Sequence, residues 1–544
     1  MKGQSMAVTH DASGRWTRRA VLRLAAGAGA GLAAAPAWIH RVQGESRRWP
    51  QGDPFGLGVA AGSPAADGFV VWTRLAPAPL APDPEQPGGM SGGPVPVAYE
   101  IATDTQFKQV VQRGTGTAEP AFAYSVHVEV KGLQPGRPYW YRFASGEAQS
   151  RAGRAVTLPA PEASPARLRF GFVSCANYEL GYFSAYRHLA DEQPDLVLFL
   201  GDYIYDYIAP AAVKVRQHSD GVEAATLPSY RNRYAQYRLD PDLQRLHAET
   251  TGLFTWDDHE VQNDYAGRYS QTFDDPATFL IRRTAAYRAF YEHQPLRPSL
   301  SLPKGPDLRL YERFAYGRLA EIFMLDERQY RSRQACYGPP HKGGGHLETD
   351  ASCPELRDEA RSMLGEAQEA WLSGGLARSQ ARWNVLAQGV MMAQLRQRLP
   401  DGSFAYWTDR WDGYPAARTR LLRLVHGRRV SNPVVLSGDL HSFWANDLKL
   451  DFDAPASPTV AAELVGSSIT SSGPNYETFQ RFLPDNPHVR FFDSRVRGYV
   501  AVDVSPERLT ARFRAISDRR DPQATVATLR TFVVEDGRTG LAPG

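Results

Sequence analysis

Cysteine is scarce. Three residues in a chain of 544 are too few for a disulfide scaffold, and the odd count leaves one thiol without a partner inside the chain. Net charge is almost absent as well. Sixty-two Lys and Arg stand against 59 Asp and Glu, so the basic excess of a nucleic-acid binder is missing. Beyond the first residues no segment approaches the roughly 18 consecutive apolar residues of a membrane span, which excludes stable membrane insertion. Internal repeats are lacking too. What is present is ordinary for a folded enzyme: 42% hydrophobic and 22% charged residues. Forty Pro and 47 Gly demand many turns and argue against an all-helical fold. The length corresponds to roughly three to four average domains.

The opening segment reads as an address rather than as structure. Arg18-Arg19 precedes a short, weakly apolar Ala/Gly run from Leu24 to Ala35, and Ala35 and Ala37 offer a cleavage site. This is the pattern of a twin-arginine signal peptide over residues 1–37, a receptor-read address and not an anchor. It implies the twin-arginine export machinery as a partner and a periplasmic or extracellular destination. In such an oxidising compartment Cys336 and Cys353, in one polar Gly-rich stretch, are candidates for a disulfide. Cys175 is left over, as an inert buried thiol, a ligand or a nucleophile.

Residues 50–160 read as an all-β domain. Runs such as Phe69–Thr73, Val97–Ala102 and Ser125–Val130 alternate between Gly- and Pro-rich turns. Leu133-Gln134-Pro135-Gly136 followed by Tyr139–Phe143 resembles the late strand and tyrosine corner of a fibronectin- or immunoglobulin-like sandwich. After a Pro-rich linker, residues 167–515 read as an α/β layered domain. Apolar runs at Leu168–Ser174, Asp195–Leu200, Leu253–Trp256, Ala320–Leu325, Trp383–Leu386 and Pro433–Leu436 are strands buried on both faces, with helical stretches between several. Residues 516–544 read as an extension with an amphipathic helix packed over that domain.

Four polar clusters follow these strands directly, where α/β sheets carry their ligand sites. They are Ser174-Cys175-Ala176-Asn177, Gly201–Asp206, Trp256–Glu260 continuing to Asn263-Asp264, and Ser437–His441. One carboxylate at a strand end is commonplace. Four such clusters imply cations, because burying so many charges alone is prohibitive. Two ions held about 3.5–4 Å apart can clamp a phosphate ester and activate water, given one bridging ligand and a set for each ion. Asp202 is the best-placed bridge. Cys175, Tyr205 and His441 are strong donors suited to a transition metal, whereas Asp258 and Asp439 suit a harder ion such as calcium.

At this point a family resemblance enters. Gly201-Asp202-Tyr203-Ile204-Tyr205 matches the G-D-x-x-Y motif of purple acid phosphatases, and Trp256–Glu260 stands where metallophosphoesterases carry G-N-H-[DE]. Ser437–His441 corresponds to G-H-x-H with Asp439 in place of the first His, and Cys175 replaces the first-motif Asp. No His answers the V-x-x-H motif; Trp383–Gln388 occupies that strand. The set resembles the PhoD family of alkaline phosphatases and phosphodiesterases, as do Phe55–Ala60, Val71–Leu75, Tyr230–Arg238 and Leu325–Tyr330. The resemblance implies a four-layer α/β/β/α catalytic domain preceded by the sandwich, and a mixed centre of Fe3+ and Ca2+. It places Cys175, Asp202, Tyr205 and His441 on the iron, and Asp202, Asp258 and Asp439 toward the calcium. His259 contacts the phosphate and protonates the leaving oxygen while a metal-bound hydroxide attacks. Arg238 is a candidate substrate contact.

The expected activity is hydrolysis of small phosphate monoesters at alkaline pH. A phosphodiesterase or phospholipase D-like activity at the same site is the alternative. From other classes come a surface-binding protein using the sandwich, in which the four clusters need not meet, and an iron–thiolate redox protein.

Overall fold

The computed structural model describes residues 48–544 apart from 82, 340, 342, 343 and 455. The expected signal peptide lies outside the described residues. Two large sheets dominate the described part. The first has ten strands, running from Ala542–Pro543 through Val526–Glu535, Arg508–Ile516, Arg497–Val504, Leu168–Val173, Leu196–Leu200, Thr251–Thr255, Val59–Ala65 and Gly68–Arg74 to Ser125–Val130. The second has seven, from Glu312–Tyr316 through Ala320–Met324, Trp383–Ala387, Pro433–Ser437, Thr459–Val465 and Phe443–Lys449 to Val489–Asp493.

Strand periodicity distributes the core. Leu196, Leu198 and Leu200 point into one buried cluster with Ile322, Val385, Leu436 and Leu464, which joins the two sheets face to face. The intervening Val197 and Phe199 point the other way, against the helices Ser184–Asp191, Leu227–Arg238, Pro241–Glu249 and Pro276–His293. On the outer face of the second sheet, Phe323, Leu386 and Val435 pack on Leu372, Leu376, Leu421 and Val425 of the helices Gly365–Arg378 and Pro415–Gly427. A strand covered on both faces must be apolar throughout, which is why these runs are continuous rather than alternating.

The N-terminal β region is continuous with the rest: three of its strands complete the ten-stranded sheet, with Ala61 and Gly62 in parallel register against Thr251 and Gly252. Its other strands form a five-stranded sheet whose Val97, Ile101, Tyr141 and Phe143 share a core with Val59, Val71 and Val126. The expected C-terminal helix is a strand. Val526–Glu535 pairs antiparallel with Arg508–Ile516. Its run of Val, Thr and Phe, with Phe532 and Val534 buried two residues apart, follows the strand period and not the helical one.

Candidate metal centre

Three of the polar clusters begin on the residue after their strand and the fourth on Ser437, the last residue of its own, and the backbone turns sharply there. Cys175, Asp202, Asp439 and His441 all adopt the left-handed region, with φ of 61°, 51°, 63° and 52°. Such conformations cost on the order of 1–3 kcal/mol each in a non-glycine residue and persist only where the surroundings enforce them. Gly201 has φ of 99°, and a Cβ there would lie 2.4 Å from the Asp257 Cβ, so only glycine lets the second and third clusters approach. Glu260 ties the same turn together. Its buried carboxylate accepts from the backbone N–H groups of Tyr203 (2.6 Å), Asp257 (2.9 Å) and Asp202 (3.1 Å).

The clusters meet at Asp202. Donor atoms of Cys175, Asp202 and His441 lie within 4.8 Å of one another, as do those of Asp202, Asp258 and His259. On the first side Tyr205 Oη donates to Asp202 Oδ2 at 2.8 Å and stands 3.0 Å from His441 Nε2. His441 Nδ1 donates to Ser472 O at 2.8 Å, which leaves Nε2 as the ligand nitrogen. Ser471 Oγ lies 2.7 Å from Tyr205 Oη. Burial, then the Asp202 charge, pushes the Cys175 thiol and the Tyr205 phenol well up. A cation inverts that logic by favouring thiolate and phenolate.

On the second side Asp258 Oδ2 accepts from the Asp264 N–H at 2.7 Å. Its Oδ1 is buried without a hydrogen-bond partner, as is Asp257 Oδ2. Orphaned carboxylate oxygens are too costly to leave bare, so these oxygens and the donor types around Asp202 fit bound cations. Burial raises the pKa of Asp258, but Arg328 and His259 outweigh it and hold the carboxyl low. Asp439 is pushed up to about 6 by burial and by Asp258. His259 Nδ1 is 2.8 Å from Asp206 Oδ1, and Asp206 Oδ2 accepts from Arg282 Nη2 at 2.9 Å. Burial lowers the His259 pKa, yet Asp258, Asp202 and Asp206 outweigh it, and the imidazole is strongly shifted toward its cationic form.

Arg238 needs correction. It is 1% exposed, its guanidinium donates to His293 O and to Gln294 Oε1 at 3.0 Å, and it lies over the Trp72 ring. It braces the fold. Arg231 likewise pairs with Glu292, and Arg233 donates to the carbonyls of Tyr205 and Asp206. The Arg328 guanidinium donates to Asp257 and, at 2.8 Å, to Asp409, while its backbone N–H donates to Asp326 Oδ1 at 3.0 Å. Cys336 and Cys353 form a disulfide, and Cys175 is free and buried. Sequence reasoning named Asp206 in the second cluster without giving it a role, and missed Arg282, Asp409, Ser471 and Ser472. The run Ser467–Ser472 follows the buried strand Thr459–Val465, so the strand-end rule that found the other clusters would have found it as well.

A shared carboxylate between two donor sets, at strand ends of facing sheets, defines a site built for metal-assisted hydrolysis. The comparisons agree. Residues 170–513 match the PhoD-like phosphatase family, and residues 41–159 match the N-terminal domain of PhoD-like phosphatases. The chain is 44% identical over 495 residues to alkaline phosphatase D of Bacillus subtilis (strain 168), covering 90% of this chain and 82% of the relative. A solved structure described as the structure of PhoD superposes with a TM-score of 0.84 at 43% identity, covering 90% of this chain and 92% of that one. The chain belongs to the PhoD-like phosphatases, and it is a hydrolase of phosphate esters. No helix among the described residues is long and apolar enough to cross a membrane.

Proposed function

We propose that the protein is exported by the twin-arginine route and hydrolyses small phosphate monoesters at alkaline pH, at a mixed centre of Fe3+ and Ca2+. The single observation that carries this reading is the position of Asp202 in both donor groups. Cys175, Tyr205 and His441, with Asp202, would hold the iron; Asp258 and Asp439, with Asp202, would hold the calcium. The ions would supply Lewis acidity toward the phosphoryl oxygens and an activated water. The chain's own contribution is positioning and proton transfer. With Nδ1 committed to Asp206, His259 keeps Nε2 for the phosphate or for the leaving oxygen, and its cationic form can donate there. Asp206, anchored by Arg282, fixes the tautomer and the ring plane.

The architecture fits a four-layer α/β/β/α domain, with the N-terminal strands as a sandwich built onto its edge. The Cys336–Cys353 disulfide favours an oxidising destination such as the periplasm or the extracellular space. The clusters meet, which disfavours a purely adhesive role. Metal analysis of exported protein, paired with turnover of a monoester and a diester, tests the proposal. One iron with calcium and a preference for the monoester is expected; diester preference would move the assignment to the phosphodiesterase alternative.

A further inference from the structure

The loop closed by the Cys336–Cys353 disulfide carries a second constellation outside the centre. His341, His346 and Glu348 place donor atoms within 4.8 Å of one another. Glu348 Oε1 stands 2.9 Å from His341 Nε2 and 3.5 Å from His346 Nε2. These separations approximate the edges of a tetrahedron with metal–ligand bonds of about 2.0–2.2 Å. The supporting bonds leave the right atoms free. His346 Nδ1 donates to Gly344 O at 3.2 Å, so Nε2 carries the lone pair. That Nε2 is buried with no hydrogen-bond partner among the described residues, on a side chain 9% exposed. The other Glu348 oxygen accepts from Ser352 Oγ at 2.5 Å.

The mount is firm. Leu347–Glu348 pairs with Tyr406–Trp407, the Thr408 N–H donates to His346 O at 2.9 Å, and the His346 N–H donates to Thr408 Oγ1 at 3.0 Å.

We propose that His341, His346 and Glu348 form a metal site distinct from the catalytic centre, taking one divalent transition-metal ion of the zinc type. Two imidazoles and one carboxylate select such an ion over calcium, and three protein ligands leave a position for water. The two rings are stacked, with centroids 3.8 Å apart and planes 11° apart. In-plane coordination by both turns the ring of His341, which is 29% exposed and has room to move. The site also leads inward. The Gly345 N–H donates to Asp264 Oδ2 at 3.0 Å, and the Asp264 N–H donates to Asp258, so ordering this loop steadies a carboxylate of the catalytic centre.

The test uses the full exported protein with its catalytic metals in place. Wild type, His341→Ala, His346→Ala and Cys175→Ala are equilibrated with Co2+, freed of excess ion, and analysed by elemental mass spectrometry and visible absorption. Wild type and Cys175→Ala are expected to retain an equivalent of cobalt with tetrahedral d–d bands that both histidine variants lack. His341→Ala, altered at an exposed side chain, should keep its iron, its calcium and its fold. Equal cobalt in wild type and His341→Ala would overturn the proposal. So would loss of the extra equivalent in Cys175→Ala alone, since the ion would then belong to the catalytic centre.

Discussion

On one side of Asp202 the donors are a thiol, a phenol and an imidazole; the phenol bonds Asp202 at 2.8 Å and stands 3.0 Å from the imidazole, and the thiol donates to Ser174 Oγ at 3.2 Å. On the other they are carboxylates, with bare oxygens and a brace of arginines around Arg328. The first side satisfies its own polar atoms even without an ion; the second does not. Strong, mutually bonded donors suit an ion that stays, and open carboxylates suit one that exchanges.

Asp202→Asn attacks both sides together. It is expected to remove both ions and to lower kcat/KM by at least about 10⁴-fold, the upper end for a single catalytic group; an active variant with either metal in full occupancy would break the comparison. Cys175→Ala should cost the iron and nearly all turnover while calcium binding and the fold remain, as elemental analysis and circular dichroism can show. A calcium chelator should do the reverse, stripping the Asp258 side while iron stays, with activity restored by added Ca2+. His259→Ala is expected to keep both metals and lose about 10²–10⁴-fold in kcat, most steeply on esters with poor leaving groups. Asp206→Asn should lose about 10- to 100-fold, as removal of an orienting partner does.

The same contrast runs through the histidines. Inside the site the carboxylates push His259 up. Outside it burial pushes His127 and His488 down to about 4, and both are neutral where they bond Tyr291 O and Gln394 O. Unfolded, they titrate near 6.5. Their contribution is therefore complete above that pH and is lost as pH falls toward 4, on the order of 3 kcal/mol for each. The thermal midpoint should drop between pH 7 and pH 4, and His488→Gln should flatten that slope.

The strands and strand-end clusters were legible because a strand buried on both faces must be a continuous apolar run, and its end is the first place a polar residue can stand. Asp202 and Tyr205 could be read from one short motif. Arg238 could not be placed, since an arginine sealed among carbonyls and one facing solvent look alike in sequence. Asp206 closes the second cluster and Asp409 lies in none, but the role of each was hidden because it acts through a partner, His259 or Arg328, that is 53 or 81 residues away. The C-terminal strand was misread because Arg530 stands on the same face as the buried Phe532 and Val534 and the register shifts beside it, which blurs the two-residue period.

The ten-stranded sheet also joins the two ends of the described chain in one layer. Val59–Ala65 lies beside Thr251–Thr255, and the far edge is formed by Val526–Glu535 and Ala542–Pro543. Segments far apart in the chain therefore have to be present together before this sheet can pair its inner strands, and its outermost strands are the ones left with an unpaired edge.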